Sequence, residues 1–253
     1  MGQSSIMKTY AIILAAGSGS RMGGKVKKQY MELGGKTVLY HAIKAFENSP
    51  IDEIYLVASK DDVEEVSSIY MGTDFTKVKG VTAGGRERYN SVYAGLDFIQ
   101  KNIAHNNVQS DDEEERYVFI HDGARPFVDN EIILRCLEGV KEYKACVAAM
   151  PSKDTVKIAD EDGFVVDTPD RRSVWNMQTP QCFDFDLILN AYATLIEKEN
   201  MGELGGLHIT DDAQVCEQFT GQRIKLVEGS YKNIKITTPE DMMIGEMYLK
   251  KIK

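Results

Sequence analysis

Short runs of apolar residues alternate along the chain with longer segments in which apolar positions recur every three to four residues. Residues 10–16 (YAIILAA) form a continuous β-prone run, which is typical of a strand buried on both faces. A helical segment follows whose apolar residues share one face: Val38, Leu39, Ala42, Ile43 and Phe46. Because residues 54–58 (IYLVA) then return to a strand pattern, the start of the chain predicts a βαβ unit.

The same alternation continues toward the C-terminus. It predicts helices near residues 61–70, 91–100 and 131–143, and strands near 78–82, 117–121 and 145–150. Strands joined by helices favour an α/β fold with a mostly parallel sheet flanked by helices, and ligands bind such sheets at the carboxyl ends of the strands. The loops after residues 16 and 121 are therefore the expected positions of a site.

From residue 151 to residue 183 the alternation stops, and about 152–175 are expected to form an arm. Two short strand patterns, 155–159 and 164–167, meet at the turn signal Asp162-Gly163, which predicts a protruding β-arm. Beyond the arm we expect helices near 184–198 and 211–219, strands at 224–227 and 233–237, and a last helix that starts at Thr238-Pro239-Glu240. With no internal repeat or long linker, the chain is predicted to be a single domain, and residues 1–6 an extension.

The overall charge argues against one class of partner. The 253 residues include 30 Lys and Arg against 39 Asp and Glu, a formal charge of −9. Such a surface repels a phosphate backbone, so we expect no nucleic-acid partner. The sequence has no signal-like segment and no run of about 18 apolar residues, and its four cysteines form no CxxC pair. We therefore expect a cytoplasmic protein with no membrane partner.

A glycine-rich loop, AAGSGSRMGGK at residues 15–25, follows the first predicted strand. It fails the dinucleotide fingerprint because Met22 stands at the third glycine position, and it fails the Walker pattern because Val26, not Ser or Thr, follows Lys25. The loop region nevertheless carries four cations and no acid: Arg21, Lys25, Lys27 and Lys28. Glycines that let the backbone approach closely, together with these cations, suit a polyphosphate.

Further polar groups follow other predicted strands. Asp122, in the loop HDGARP, is a natural ligand for hydrated Mg²⁺ or for a substrate hydroxyl, whereas His121 on the buried strand is expected to be structural. The turn Gly84-Gly85-Arg86 suits close backbone contact with a base or sugar. The acids Asp211-Asp212 are expected to cap a helix.

These motifs, in this order, resemble the 2-C-methyl-D-erythritol 4-phosphate cytidylyltransferase family of the non-mevalonate isoprenoid pathway. The resemblance runs from about residue 7 to the C-terminus. It rests on AAGSGSRM with KKQY, GGRERYNSV, HDGARPFV, PSKDTVK, DRRSVWNMQTPQCF, TDDA and NIKITTPED.

The resemblance implies a Rossmann-like nucleotidyltransferase fold and a homodimer formed through exchanged arms. It also implies Mg²⁺-dependent synthesis of 4-diphosphocytidyl-2-C-methyl-D-erythritol and pyrophosphate from CTP and 2-C-methyl-D-erythritol 4-phosphate. The implied catalytic cations are Arg21, Lys28, Arg171 and Lys235. The implied CTP-binding residues are Ala15, Ala16, Gly17, Gly19, Arg21, Lys28, Gly85, Arg86, Ser91 and Lys235. The implied sugar-phosphate residues are Asp122, Arg125, Thr155 and Arg171, and Asp122 is also the implied metal ligand.

Two other functions stay open at this stage. A ribitol 5-phosphate cytidylyltransferase shares the glycine-rich loop, the HDxxRP loop and the QTPQ segment, although Trp175 and the TDDA motif favour the methylerythritol enzyme. A non-catalytic nucleotide sensor would need only the cations on the nucleotide side, so Arg171 and Lys235 favour an enzyme.

The implied reaction needs no general base. Its nucleophile is a phosphate monoester with a second pKa of about 6, which is mostly dianionic at pH 7.

Overall fold

A computed structural model describes residues 7–17, 27–72, 74–105 and 115–252. Its strands are β1 (Met7–Ala15), β2 (Glu32–Leu33), β3 (Lys36–Thr37), β4 (Glu53–Ala58), β5 (Val78–Ala83), β6 (Glu115–Asp122), β7 (Ala145–Pro151), β8 (Ile158–Ala159), β9 (Val165–Asp167), β10 (Trp175–Asp184) and β11 (Lys225–Glu228). Its helices are α1 (Val38–Glu47), α2 (Val63–Tyr70), α3 (Arg88–His105), α4 (Asn130–Tyr143), α5 (Phe185–Met201), α6 (Asp212–Thr220) and α7 (Pro239–Ile252). Short 3-10 turns occur at Lys28–Tyr30, Lys60–Asp62 and Arg171–Ser173.

Seven strands form the central sheet, in the order β11-β7-β10-β6-β1-β4-β5. Neighbouring strands are parallel except at β10, which runs antiparallel to both β6 and β7. The prediction of a mostly parallel sheet flanked by helices is thus confirmed. The register pairs Ile13 with His121 and Leu14 with Asp122, so β1 and β6 end side by side and the two loops predicted to form a site emerge together.

The apolar run of β1 is buried on both faces, as its composition predicts. Ile13 belongs to a core that includes α1, α2 and α4, and Ile12 belongs to a second core with α3, α5 and α6 on the opposite face of the sheet. Both side chains are fully buried, and burial of an isoleucine side chain stabilises a fold by about 1.5–3 kcal/mol. The continuous run is therefore the sequence signature of a central strand.

In the C-terminal half one strand was missed and one strand prediction was wrong. Residues 175–184 form β10, a central strand that the sequence did not indicate, because its buried polar residues Gln178, Thr179 and Gln181 interrupt the apolar pattern. Residues 233–237, predicted as a strand, lie against the loop after β6 instead of joining the sheet. That segment hydrogen-bonds to the loop, with Ile236 N donating to Ala124 O at 2.8 Å.

The arm leaves the sheet at the end of β7 and returns at the start of β10. Within it β8 pairs antiparallel with β9 around a turn at Gly163, whose φ of 86° favours glycine. Its large apolar side chains are exposed: Ile158, Phe164, Val165 and Val166. The arm therefore makes little contact with the core of its own chain.

Three cysteines far apart in sequence meet in the core. Cys136 of α4, Cys146 of β7 and Cys182 of β10 are fully buried, and their sulfur atoms lie within 4.8 Å of one another. They fill space between the helix and the sheet as small apolar side chains.

None of the helices among the described residues is both long enough and apolar enough to cross a membrane.

Candidate active site

A cleft of about 340 Å³ opens where β1 and β6 end. Eight of the residues predicted to bind substrates line it: Ala16, Gly17, Lys28, Gly85, Arg86, Ser91, Asp122 and Lys235. Among the described lining residues, four side chains are basic and two are acidic. In a chain of charge −9 this is a local excess of positive charge, which suits an anionic ligand.

The glycine-rich loop is only partly described. Gly19 and Arg21 lie outside the described residues. Ala15 ends β1, and its carbonyl oxygen accepts a hydrogen bond at 2.5 Å from Nε2 of the buried Gln29. Gln29 thereby fixes the short 3-10 turn from which Lys28 enters the cleft.

The neighbouring basic residues Lys27 and Lys28 have different surroundings. Lys27 Nζ lies 2.6 Å from Asp62 Oδ2 and 2.6 Å from Ser59 Oγ, and Lys27 does not line the cleft. Lys28 does line it. Of the four cations that the sequence singles out near the glycine-rich loop, Lys27 is therefore committed to an ion pair with the start of α2.

Asp122 lies at the floor of the cleft among three cations. Its Oδ2 is 2.8 Å from Lys235 Nζ and 3.8 Å from Arg125 Nε, and its Oδ1 is 3.6 Å from Arg88 Nε. Burial alone would raise the pKa of the Asp122 carboxyl, but the charges of Lys235, Arg88 and Arg125 outweigh burial and hold the pKa well below its usual range. The carboxylate is ionised at neutral pH.

His121 is a structural residue. Its ring is fully buried, and burial lowers its pKa to about 4, so the imidazole is neutral at pH 7. Thr179 Oγ1 accepts from Asp122 N at 3.1 Å and lies 2.9 Å from His121 Nδ1, while His121 Nε2 lies 3.1 Å from the Arg125 carbonyl oxygen. A neutral ring satisfies both contacts when Nε2 carries the proton and Nδ1 accepts from the Thr179 hydroxyl.

The segment that carries Lys235 is fastened to the loop after β6. Arg125 Nη1 donates to Asn233 O at 2.7 Å, and Asn233 Nδ2 donates to Thr179 O at 2.9 Å. Asn233 is fully buried. These bonds explain how an extended segment outside the sheet places Lys235 directly over Asp122.

The glycine turn after β5 packs tightly against the end of β1. A Cβ atom built on Gly84 would lie 2.6 Å from Ala16 Cβ and 2.7 Å from Ser91 Oγ, so only glycine allows this approach. Ser91 Oγ accepts from Gly85 N at 3.1 Å. Ser91 therefore shapes the turn as well as lining the cleft, whereas the Arg86 side chain is almost fully exposed at the rim.

Arg88 and Asp212 form an ion pair that the sequence analysis did not predict. Nη1 and Nη2 of Arg88 each lie 2.7 Å from an oxygen of Asp212, which is fully buried. Asp211 caps α6 by accepting from Gln214 N, as predicted. Asp212 lies in the first turn of the helix, as predicted, but its carboxylate is bound by Arg88 and Tyr192. The only feature of the sequence that pointed to Arg88 and Asp212 was that both belong to motifs on which the family resemblance rests.

Two predicted site residues lie elsewhere in the chain. Arg171 is exposed at the base of the arm, where Nη1 donates to Lys153 O at 3.4 Å, and Thr155 is exposed nearby. Neither residue lines the cleft. Within one chain, the structure brings together Lys28, Lys235 and Asp122 but not the two arm residues.

Comparisons with known proteins are consistent with one another. The model of a family described as 2-C-methyl-D-erythritol 4-phosphate cytidylyltransferase matches residues 9–251. The chain is 46% identical over 241 residues to the protein of that name from Lachnospira eligens, covering 95% of this chain and 98% of that one. It is 41% identical over 251 residues to the protein of that name from Caldanaerobacter subterraneus subsp. tengcongensis, covering 97% and 100%. A crystal structure of a 4-diphosphocytidyl-2C-methyl-D-erythritol synthase from Anaerococcus prevotii matches with a TM-score of 0.78 at 35% identity, covering 98% and 100%.

Proposed function

Because the chain belongs to the 2-C-methyl-D-erythritol 4-phosphate cytidylyltransferase family, we propose that it transfers the cytidylyl group of CTP to 2-C-methyl-D-erythritol 4-phosphate. The products are 4-diphosphocytidyl-2-C-methyl-D-erythritol, an isoprenoid precursor, and pyrophosphate. The predicted Rossmann-like nucleotidyltransferase fold is confirmed by the match to the solved synthase. The observation that carries the proposal is the excess of basic side chains in a cleft at the carboxyl ends of β1 and β6.

In the proposed reaction an oxygen of the sugar-alcohol phosphate attacks the α-phosphorus of CTP. A P–O bond forms, the bond to the bridging oxygen breaks, and the electron pair leaves on pyrophosphate, so negative charge grows on the departing group. Lys28 and Lys235 line the cleft and would stabilise that charge, and Arg21 is proposed to join them. Since the attacking phosphate is mostly dianionic at pH 7, no base is needed, which agrees with the buried, neutral His121.

CTP is proposed to lie along Ala15, Ala16, Gly17 and Gly19, with Gly85, Arg86 and Ser91 near its base or ribose. Asp122 and Arg125 are proposed to face the hydroxyl groups of the sugar alcohol. A carboxylate that is ionised and held by three neighbouring cations is a fixed hydrogen-bond acceptor for such hydroxyls.

We propose that the arm completes the site of a second copy of the chain. Arg171 and Thr155 are exposed on the arm and do not reach the cleft of their own chain. The exposed apolar side chains of the hairpin, Phe164 and Val165 among them, need a covering surface. A homodimer with exchanged arms would bury them and bring Arg171 to the sugar phosphate in the partner's cleft.

Mg²⁺ is proposed as the partner of the CTP phosphates. As placed, Asp122 does not fit a metal ligand, because Lys235 and Arg125 face one of its oxygens and Arg88 faces the other. Magnesium is commonly held by substrate phosphates with few protein ligands. The proposed reaction therefore contains no step in which Asp122 coordinates the metal directly.

The test is pyrophosphate release from CTP and Mg²⁺ by the purified chain, with each candidate acceptor in turn. We expect release with 2-C-methyl-D-erythritol 4-phosphate and a lower kcat/KM with ribitol 5-phosphate. A higher kcat/KM with ribitol 5-phosphate would assign the chain to that second activity. CTP binding without turnover of either acceptor would indicate a nucleotide sensor.

We propose that the protein acts in the cytoplasm. Its four cysteines are unpaired, as expected in a compartment where thiols stay reduced.

A further inference from the structure

We propose that the ion pair between Arg88 and Asp212 is a positioning device that holds the Asp122 carboxylate in place during cytidylyl transfer. The proposal rests on the proposed function, because Asp122 lies in the cleft assigned to that reaction. Neither Arg88 nor Asp212 was among the residues predicted to contact substrate. Their role would be exerted through Asp122.

The pair joins two distant parts of the chain. Arg88 begins α3 and Asp212 begins α6, and the two guanidinium NH groups each meet one carboxylate oxygen at 2.7 Å. Tyr192 of α5 donates a further hydrogen bond of 2.5 Å to Asp212 Oδ1. Because Asp212 is fully buried, its two oxygens are committed to these partners and Arg88 has one fixed orientation.

That orientation turns the remaining nitrogen of Arg88 toward the cleft. Arg88 Nε lies 3.6 Å from Asp122 Oδ1, the oxygen opposite the one that Lys235 contacts at 2.8 Å. If Lys235 turns to a substrate phosphate, as proposed, Asp122 loses its shortest contact. Arg88 and Arg125 then keep the carboxylate charged and oriented toward the acceptor hydroxyls.

The geometry requires an arginine. A guanidinium group can occupy both oxygens of Asp212 with its two NH₂ groups and still present Nε–H at its edge, whereas a lysine offers one ammonium group. We therefore expect Arg88→Lys to keep the charge but lose the link between Asp212 and Asp122.

A double-mutant cycle tests whether the pair acts through Asp122. In the pyrophosphate assay we expect Asp212→Asn and Arg88→Lys each to lower kcat about 10–100-fold, with the KM for CTP changed by less than about threefold. Because the effect passes through Asp122, Asp212→Asn should cause little further loss in a chain that already carries Asp122→Asn. The matched control is Asp186→Asn, which weakens another arginine–aspartate ion pair, that of Arg116 and Asp186, and should keep kcat within about threefold because neither residue lines the cleft.

The proposal would be overturned if the fold-losses of Asp122→Asn and Asp212→Asn multiplied, or if Asp186→Asn lost as much activity as Asp212→Asn. A crystal structure of Asp212→Asn gives a readout that does not depend on turnover. We expect Arg88 to have left Asp122 in that variant, and an unchanged contact between Arg88 and Asp122 would refute the proposal. An inactive wild-type chain would refute the proposed function, while the crystal structure would still decide the positioning role.

Discussion

Gln29 donates from Nε2 to the carbonyl oxygens of Ala15 and Gly17, at 2.5 Å and 3.1 Å. One buried amide thus joins the end of β1, the start of the glycine-rich loop and the turn that carries Lys28. The relationship explains how a loop rich in glycine keeps a defined starting point. Replacement of Gln29 should therefore lower both the stability of the fold and the affinity for the nucleotide.

We expect Gln29→Leu to lower the free energy of unfolding by about 1–3 kcal/mol, because two carbonyl groups lose their donor. Urea denaturation measures this change. The matched control is Gln222→Leu, since Gln222 also donates to a carbonyl, that of Tyr143, but through a hydrogen bond that is exposed to solvent. The control should change stability by less than about 0.5 kcal/mol. Equal losses in the two variants would contradict the role given to Gln29.

The neighbouring cations Lys27 and Lys28 should differ sharply in their contribution to catalysis. Lys28→Ala removes a cation from the cleft, and we expect kcat/KM to fall at least about 100-fold. Lys27→Ala removes a hydrogen bond to Ser59 and the partly exposed ion pair with Asp62, and such an ion pair contributes about 0–1 kcal/mol to stability. Its kcat/KM should stay within about threefold of wild type in the pyrophosphate assay. A comparable fall in both variants would show that charge near the loop, not its placement, sets the rate.

Stability should fall as the pH falls from about 6.5 to about 4, the interval between the ordinary pKa of histidine and that of His121 in the folded protein. In this interval the unfolded chain binds a proton at His121 that the folded chain excludes, so acid favours unfolding. The loss from this group grows to about 3 kcal/mol once the pH is below the pKa of His121 in the folded protein.

Urea denaturation at several pH values, compared with His121→Gln, isolates this effect. The variant should lose most of the slope between pH 6.5 and 4, while His208→Gln, which changes an exposed histidine, should keep it. A wild-type slope that survives in His121→Gln would assign the acid sensitivity to other groups.

Mixed dimers test the exchanged arm. If Arg171 serves the partner's cleft, a dimer of one Lys28→Ala chain and one Arg171→Ala chain contains one intact site. After refolding the two variants together, about a quarter of the wild-type activity should return. The control mixes Lys28→Ala with Lys235→Ala, whose defects lie in the cleft of the same chain, so every site stays defective. Recovery in the control, or none in the test mixture, would rule out the composite site.

The central strands and the position of the cleft could be predicted because they depend on local pattern. A continuous apolar run specifies a strand buried on both faces, and the end of such a strand in a parallel sheet is a predictable ligand position. Strand β10 was missed because Thr179 and Gln181 face polar partners, His121 and Asp211, which only the fold supplies.

The same reason hides Arg88 and Asp212, which are 124 positions apart in the sequence. Either residue alone reads as an ordinary surface charge. The two residues meet only because α3 packs with α5 and α6, and the pattern of apolar positions within one segment does not predict that packing. The cluster of Cys136, Cys146 and Cys182 could not be predicted either, because it also depends on how distant segments pack together.

Strand β7 ends at Pro151 and β10 begins at Trp175, and these two residues are paired in register. A hydrogen bond of 2.8 Å from Ser152 N to Val174 O closes the base of the arm. The arm is thus an insertion between two adjacent antiparallel strands, a place where the entropy of loop closure grows only slowly with length. Its length and sequence can therefore vary with little effect on the register of the sheet, so the surface proposed to meet a second chain can evolve separately from the scaffold that holds Lys28 and Asp122.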